Sequence, residues 1–295
     1  LSYQIYPIVQ LSDEQLTQVY TLKVTCEQSD QIHLKINANM LQNRTNPFPL
    51  DLLCYKENTL VGFLGMYIFH SGEAEVSAFV HPDHRQQQVF RKLLEKASSI
   101  LREQNIPQFL FIIDHASQSG LGTANKLQAT YHHSEYQMSR ASKTTTPDEH
   151  SFSLVIPTMQ DLDVWVELDI SSFSSTSDSE EIEQFRSFLK RNFLDESVIH
   201  YQLVEDGQIQ GKISLRKYDD TAYIYGFVVV PTLRGQGIGT KILQEVIARH
   251  QGDYPTLQLE VATDNPNALK LYQKCGFQVT SRDDYYSYPV ENKSL

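Results

Sequence analysis

Gly235, Gly237 and Gly239 stand two apart in Arg234-Gly235-Gln236-Gly237-Ile238-Gly239-Thr240, directly after the apolar run Tyr223 to Val230 and directly before an apolar pattern at helical spacing. Glycines at the mouth of a helix let main chain approach a ligand closely. The first N–H groups of the helix lack internal partners and sit at its positive dipole end. That combination is a cradle for an anion, most simply a phosphate or pyrophosphate. The dinucleotide fingerprint requires G-x-G-x-x-G, whereas this is G-x-G-x-G. The nucleoside-triphosphate loop requires Gly-Lys-Ser/Thr, whereas Gly239 is followed by Thr240-Lys241.

Three further residues invite chemistry. Glu260, in Leu259-Glu260-Val261, is a carboxylate that could take a proton from an ammonium group or simply be an ordinary strand acid. Tyr272, twelve residues on, is either an aromatic packed on a helix face or a phenolic proton donor. Asn265 before Pro266 suits a helix N-cap with proline at the first helical position. His200 and Tyr225 are weaker candidates for the base.

Arg-x-x-Gly-x-Gly after a V-V-P strand end is similar to the acetyl-CoA signature of the GNAT superfamily of N-acetyltransferases. The resemblance runs on through Leu259-Glu260-Val261, Asn265 to Tyr272, and Cys275-Gly276-Phe277, over more than fifty residues in matching order. It implies that Arg234, Gly235, Gln236, Gly237, Ile238, Gly239 and Thr240 wrap the pyrophosphate of acetyl-CoA. It also implies that the backbone of Val228, Val229 and Val230, chiefly Val228 and Val230, pairs with the pantetheine arm where two strands splay apart, and that Asn265 reaches that arm. Tyr272 then protonates the departing thiolate. Glu260 resembles the base of the ribosomal-protein alanine N-acetyltransferases. The implied reaction moves acetyl to a primary amine of a small molecule or peptide N-terminus. The alternative is a non-catalytic CoA-binding or protein-interaction module.

The elements that position these residues are legible as a repeat. At an offset of 149, Gly62 falls on Gly211, Phe79 on Val228, Pro82 on Pro231 and Arg85 on Arg234 without a gap. Each copy reads as two strands around a tight turn, at Ser71-Gly72 and Asp219-Asp220, running into an amphipathic helix; the first of these buries Val89, Leu93, Leu94, Ala97, Ile100 and Leu101. The expected fold is α/β: two tandem GNAT-like domains, each a mixed, mostly antiparallel sheet flanked by helices. Residues 1–145 form a degenerate copy, residues 150–295 the catalytic one, and the polar stretch 141–150 joins them. In the first copy Gln86, Gln88 and Phe90 occupy the glycine positions, so their side chains should obstruct close approach. Early helices are expected near Asp13–Cys26 and Asp30–Leu41. Asp283, Asp284, Tyr285, Tyr286 and Tyr288 either line the acceptor slot or form an exposed strand.

Composition narrows the partners. The chain of 295 residues carries 25 basic and 36 acidic side chains, net −11, with most of the negative excess in the second half. No basic stripe points to nucleic acid, and no apolar run approaches the roughly 20 residues that span a bilayer. Three cysteines form no framework and no C-x-x-C pair, and the histidines form no metal motif, so no metal is expected. A cytoplasmic setting is the expectation. Cys26, Cys54 and Cys275 offer no placed nucleophile, so direct attack by the amine is expected rather than an acetyl-enzyme.

Overall fold

The computed structural model describes residues 2–70, 72–142, 154–174, 178–218, 220–250 and 252–291. The expected linker beyond Ser142, and the turn residues Ser71 and Asp219, lie outside them. In chain order the elements are strand β1 (Tyr3–Ile8), helices α1 (Asp13–Asp30) and α2 (Ala38–Gln42), strands β2 (Asp51–Lys56), β3 (Thr59–His70) and β4 (Glu73–Val80), α3 (Val89–Glu103), β5 (Gln108–Asp114), α4 (Gln118–Leu127) and β6 (Thr130–Ala141). They continue with β7 (Leu154–Val155), α5 (Leu162–Asp169), α6 (Ser179–Phe193), β8 (Val198–Glu205), β9 (Gln208–Lys217) and β10 (Thr221–Val229). The last are α7 (Ile238–His250), β11 (Thr256–Ala262), α8 (Pro266–Lys274) and β12 (Gln278–Pro289).

The chain forms two compact units, but not at the expected sequential boundary. One contains residues 1–134 and 281–295, the other residues 135–280. The end of β6 therefore belongs to the second unit and most of β12 to the first. Period-two patterning marks a strand but not its partner, so the exchange left no trace in the sequence. The sheet of the first unit runs β1-β2-β3-β4-β5-β12, and that of the second runs β6-β11-β10-β9-β8-β7. In each, one parallel ladder (β4 with β5, β10 with β11) sits among antiparallel neighbours.

Local chemistry explains the helices. Ser12 and Gln15 form a reciprocal capping box that starts α1. Gln31 adopts a left-handed conformation at φ 56° that ends it. The second early helix is consequently reduced to Ala38–Gln42 and does not begin near Asp30. In the first unit α3 buries Val89, Leu93, Leu94, Ala97, Ile100 and Leu101 against the sheet. In the second, α7 buries Ile238, Ile242, Leu243, Val246 and Ile247, and Met138 of β6 joins that core. The opposite face of the second sheet is covered by α5 and α6 around Trp165 and Leu189. Among the described residues no helix is long and apolar enough to cross a membrane.

Candidate active site

Strands β10 and β11 pair in parallel only from Thr221 opposite Thr256 to Ile224 opposite Leu259. Beyond that register β10 runs on to Val229 and β11 to Ala262. The parallel pair of the first unit likewise ends early, at Val76 opposite Phe111, but here a local irregularity accompanies the parting. On the other side of β10 the register with β9 shifts between Tyr225, opposite Ser214, and Val228, opposite Lys212, so two residues face one. Gly226 in this bulge has φ +57°, a conformation that β-carbons disfavour.

The bulge sets which backbone groups face the gap. Val230 donates its N–H to the Gln210 carbonyl at 3.0 Å, so Val230, and Val228 two residues earlier, address β9. Val229 then faces away from β9, and its carbonyl accepts from Arg234 Nε at 3.1 Å. The expectation that Val228 and Val230 offer their main chain to a ligand is corrected: ladder alternation commits both to β9 and leaves Val229 at the opening.

A 3₁₀ turn, Pro231–Leu233, leads to the glycines. Gly235 and Gly237 have φ +79° and +82°, and a β-carbon added at either would meet nothing within 4 Å. They are glycines for backbone conformation and access, not for lack of room. Gly239 differs: a β-carbon there would lie 2.7 Å from Leu271 Cδ1, so its smallness lets α7 pack on α8. The first regular α7 bond runs from the Lys241 N–H to the Gly237 carbonyl at 3.1 Å, so the N–H groups of Ile238, Gly239 and Thr240 precede it. The Ile238 side chain is buried in the core, and only its main chain is available. Gln236 is tied to the Thr232 carbonyl at 3.4 Å, and Arg234 reaches Ser172 Oγ at 3.3 Å.

Asn265 caps α8, its side chain accepting from the Ala268 N–H at 3.1 Å. Tyr272 is 8% exposed, with the rings of Phe227 and Phe277 at 6.4 and 6.2 Å. Burial pushes its phenol up to about 12. Glu260 follows the last β11 residue that pairs with β10, and Gln137 Nε2 of β6 donates to its Oε1 at 2.6 Å. Burial, then the charge of Glu260 and a hydrogen bond to it, hold the Tyr223 phenol well above its usual range.

His200 is buried with both ring nitrogens engaged: Nδ1 with Ser214 Oγ at 2.8 Å and Nε2 with the Asn192 carbonyl at 3.1 Å. Burial lowers its pKa, which favours the neutral ring. The residues that sequence reading passed over are Asp169 and Lys212. Lys212 Nζ lies 2.6 Å from Asp169 Oδ1, both side chains buried, and 4.4 Å above the Trp165 ring. Residues 209–215, Ile-Gln-Gly-Lys-Ile-Ser-Leu, place Lys212 on the polar side of the alternation, so the strand carried no signal of its burial. Asp283 to Tyr288 pair with β5 in the first unit, where Asp284 contacts Ser134, His115 and Arg282.

The first unit repeats the frame with different side chains. Gln86 and Gln88 keep left-handed backbones at φ 59° and 65°, and Arg85 Nε donates to the Val80 carbonyl at 3.1 Å. The loop backbone is thus preserved, with glutamine side chains at the two positions where the second unit has glycines of left-handed backbone. A recess of about 830 Å³ remains there, lined among others by Arg85, Gln86, Phe90 and Phe111. Here β4 keeps an unbroken register with β3 from Met66–Val76 to Phe63–Phe79, without a counterpart of Gly226. The repeat is therefore not gapless: an extra hairpin residue after Tyr67 offsets the missing bulge. Beyond β5 the Ala129 N–H donates to the Ala124 carbonyl as that of Phe277 donates to Tyr272. Ala124 thus stands where the second unit has Tyr272, and by the same offset Ile112 stands where it has Glu260. Among the described residues of the whole chain, no group of three His, Cys, Asp or Glu is placed to hold a metal.

The family model described as the acetyltransferase (GNAT) family matches residues 14–121 and again 162–277. The chain belongs to this family. It is an acyltransferase with two tandem GNAT domains. It is 33% identical over 101 residues to the [ribosomal protein bS18]-alanine N-acetyltransferase of Haemophilus influenzae, a match spanning 34% of this chain and 68% of the relative. The Escherichia coli K12 enzyme of the same name is 30% identical over 93 residues, 31% of this chain and 63% of that one. Acetyltransferase PseH of Campylobacter jejuni is 32% identical over 121 residues, 40% of this chain and 75% of the relative. In fold the chain is similar to a GCN5-related N-acetyltransferase from Sphaerobacter thermophilus, with TM-score 0.78 and 16% identity over 98% of this chain and 96% of that one. A tandem GNAT protein from the clavulanic acid biosynthesis pathway gives TM-score 0.75 and 16% identity over 99% and 100%.

Proposed function

We propose that the second unit transfers acetyl from acetyl-CoA to a primary amine by direct attack, and that the first unit is a non-catalytic copy. The observation that carries the reading is the parting of β10 from β11 at the Gly226 bulge, continuous with a turn held open by Gly235 and Gly237. The fit to acetyl-CoA rests on that cradle. Unpaired main-chain N–H groups at the start of α7 would hold the diphosphate, and the Val229 backbone would pair with the arm. Asn265, at the start of α8, would reach the same arm. When bound, acetyl-CoA supplies an activated acyl group and a thiolate leaving group.

The chain's own residues divide the proton work. Glu260, oriented by Gln137, would accept the proton of the acceptor ammonium. Tyr272 would hold a proton at its phenol oxygen for the leaving sulfur. Its raised pKa limits that role: against a thiol near 8.5, full transfer is uphill by about 3 to 4 pKa units, roughly 5 kcal/mol. Hydrogen-bond donation to the sulfur is therefore its main contribution, with solvent completing the transfer. All three cysteines are buried, which favours direct attack over a covalent relay.

Titrating the full chain with acetyl-CoA by calorimetry, then following free thiol release with a panel of amines, tests this reading. One saturable site and amine-dependent thiol release are expected. Absence of acetyl-CoA binding would remove it.

A further inference from the structure

A recess of about 300 Å³ lies beside Gly226, on the face of the second sheet covered by α5 and α6. Tyr272 packs on the other face, with the α7 and α8 core. The walls of the recess are Phe173, Phe185, Phe188 and Leu189. Phe173 and Phe188 are 60% and 43% exposed. Aromatic rings held in water around a recess gain by covering an apolar ligand.

The floor is polar. Asp169 and Lys212 face each other at 2.6 Å, and Lys212 Nζ also lies 3.4 Å from the Gly226 carbonyl. Burial raises the carboxyl and lowers the ammonium, each more than the partner opposes it. The pair cancels in charge. Ser214 also lies on the floor. The His200 Nε2 that faces the Asn192 carbonyl must carry the ring proton, so Nδ1 accepts from the Ser214 hydroxyl. The lone pairs of Ser214 Oγ then remain for a donor in the recess. The Tyr225 hydroxyl is buried beside the Arg216 guanidinium and makes no hydrogen bond of regular geometry among the described residues.

We propose, resting on the acetyl-transfer reading, that the acyl acceptor is a primary monoamine on a compact apolar body. Its nitrogen is received by Ser214 and Tyr225 at the Gly226 bulge, and its body is enclosed by Phe173, Phe185 and Phe188. The walls exclude the other amine classes. Among the described residues that line the recess the one carboxylate, Asp169, is held by Lys212, which leaves none there for a polyamine's second ammonium. The hydroxyls of an amino sugar would lie unpaired against phenyl rings. A volume at the lower end of ligand sites favours a small body over a peptide.

The test uses the full chain with acetyl-CoA and thiol release as readout. 2-Phenylethylamine and isoamylamine are compared with spermidine, glucosamine and an alanine-terminated peptide. The apolar monoamines should lead in kcat/KM by about a hundredfold. Phe188→Ser, at an exposed position, should raise their KM about tenfold while leaving acetyl-CoA affinity unchanged. Trp165, the chain's single tryptophan, stacks over Lys212, so 2-phenylethylamine alone should change its fluorescence saturably. Preference for spermidine, glucosamine or the peptide would overturn the acceptor class and leave acetyl transfer standing. An unchanged KM in Phe188→Ser, or a flat fluorescence titration, would overturn the recess. No thiol release with any amine would end both readings.

Discussion

Gln137 Nε2 donates to Glu260 Oε1 at 2.6 Å, so a residue from the first half of the sequence orients the candidate base of the second. The two sit opposite each other in the β6–β11 ladder. Glu260→Gln should lower kcat by about 10²-fold with little change in acetyl-CoA affinity, and high pH should restore part of the loss as the amine deprotonates unaided. Gln137→Leu should show a weaker version of the same pattern, because it leaves the carboxylate but removes one of its donors. If Glu260→Gln retains full kcat near neutral pH, the base lies elsewhere.

Tyr272→Phe should reduce kcat about 10²-fold and leave acetyl-CoA binding intact, measured by stopped-flow thiol release beside calorimetry. The pH dependence has a definite sign. The folded-state pKa, about 12, lies above the unfolded value of 10. The neutral phenol is favoured in the fold, so its contribution to stability is complete below pH 10 and is lost as pH rises from 10 through 12. No basic limb of the rate profile below pH 10 should disappear in Tyr272→Phe. A limb near pH 8 that vanished with the phenol would contradict this environment.

The two glycine-bearing positions of the α7 turn invite a transplant from the first unit. Gln86 and Gln88 hold left-handed backbones where Gly235 and Gly237 do. Gly235→Gln with Gly237→Gln should therefore fold, at a cost of about 1–3 kcal/mol for each strained residue. The side chains would crowd the cradle, and acetyl-CoA affinity should fall at least about tenfold. A folded double variant, shown by an intact thermal transition, that binds acetyl-CoA as tightly as before would dissociate the cradle from binding.

What the sequence disclosed and what it withheld separate along physical lines. Gly235 and Gly237 were legible because their backbone conformation is a local matter written in residue type. The Asn265 cap and the buried face of α7 were legible for the same reason. Asp169 and Lys212 were not, because only tertiary packing brings a helix end and a strand centre together. Neither was the Gly226 bulge: an extra residue in the β3–β4 hairpin conceals it, keeping the two copies at one numerical offset. Nor was the exchange of the ends of β6 and β12, because alternation of side chains carries no information about which ladder a strand joins.

That exchange gives the last prediction. Residues 281–289 pair with β5 in the first unit, Asp283 opposite Asp114 to Pro289 opposite Gln108. Residues 135–141 pair with β11 in the second, Glu135 opposite Ala262 to Ala141 opposite Thr256. A cut between residues 145 and 150 therefore strips each unit of a strand that only the other fragment carries. The fragment 150–295 would expose the edge of β11, lose Met138 from its core and lose Gln137 from Glu260. Expressed alone, fragments 1–145 and 150–295 should aggregate or lack a cooperative thermal transition. Coexpressed, they should copurify and recover thiol release. A soluble, cooperatively folded 150–295 fragment with full activity would show that β6 is dispensable to the second unit.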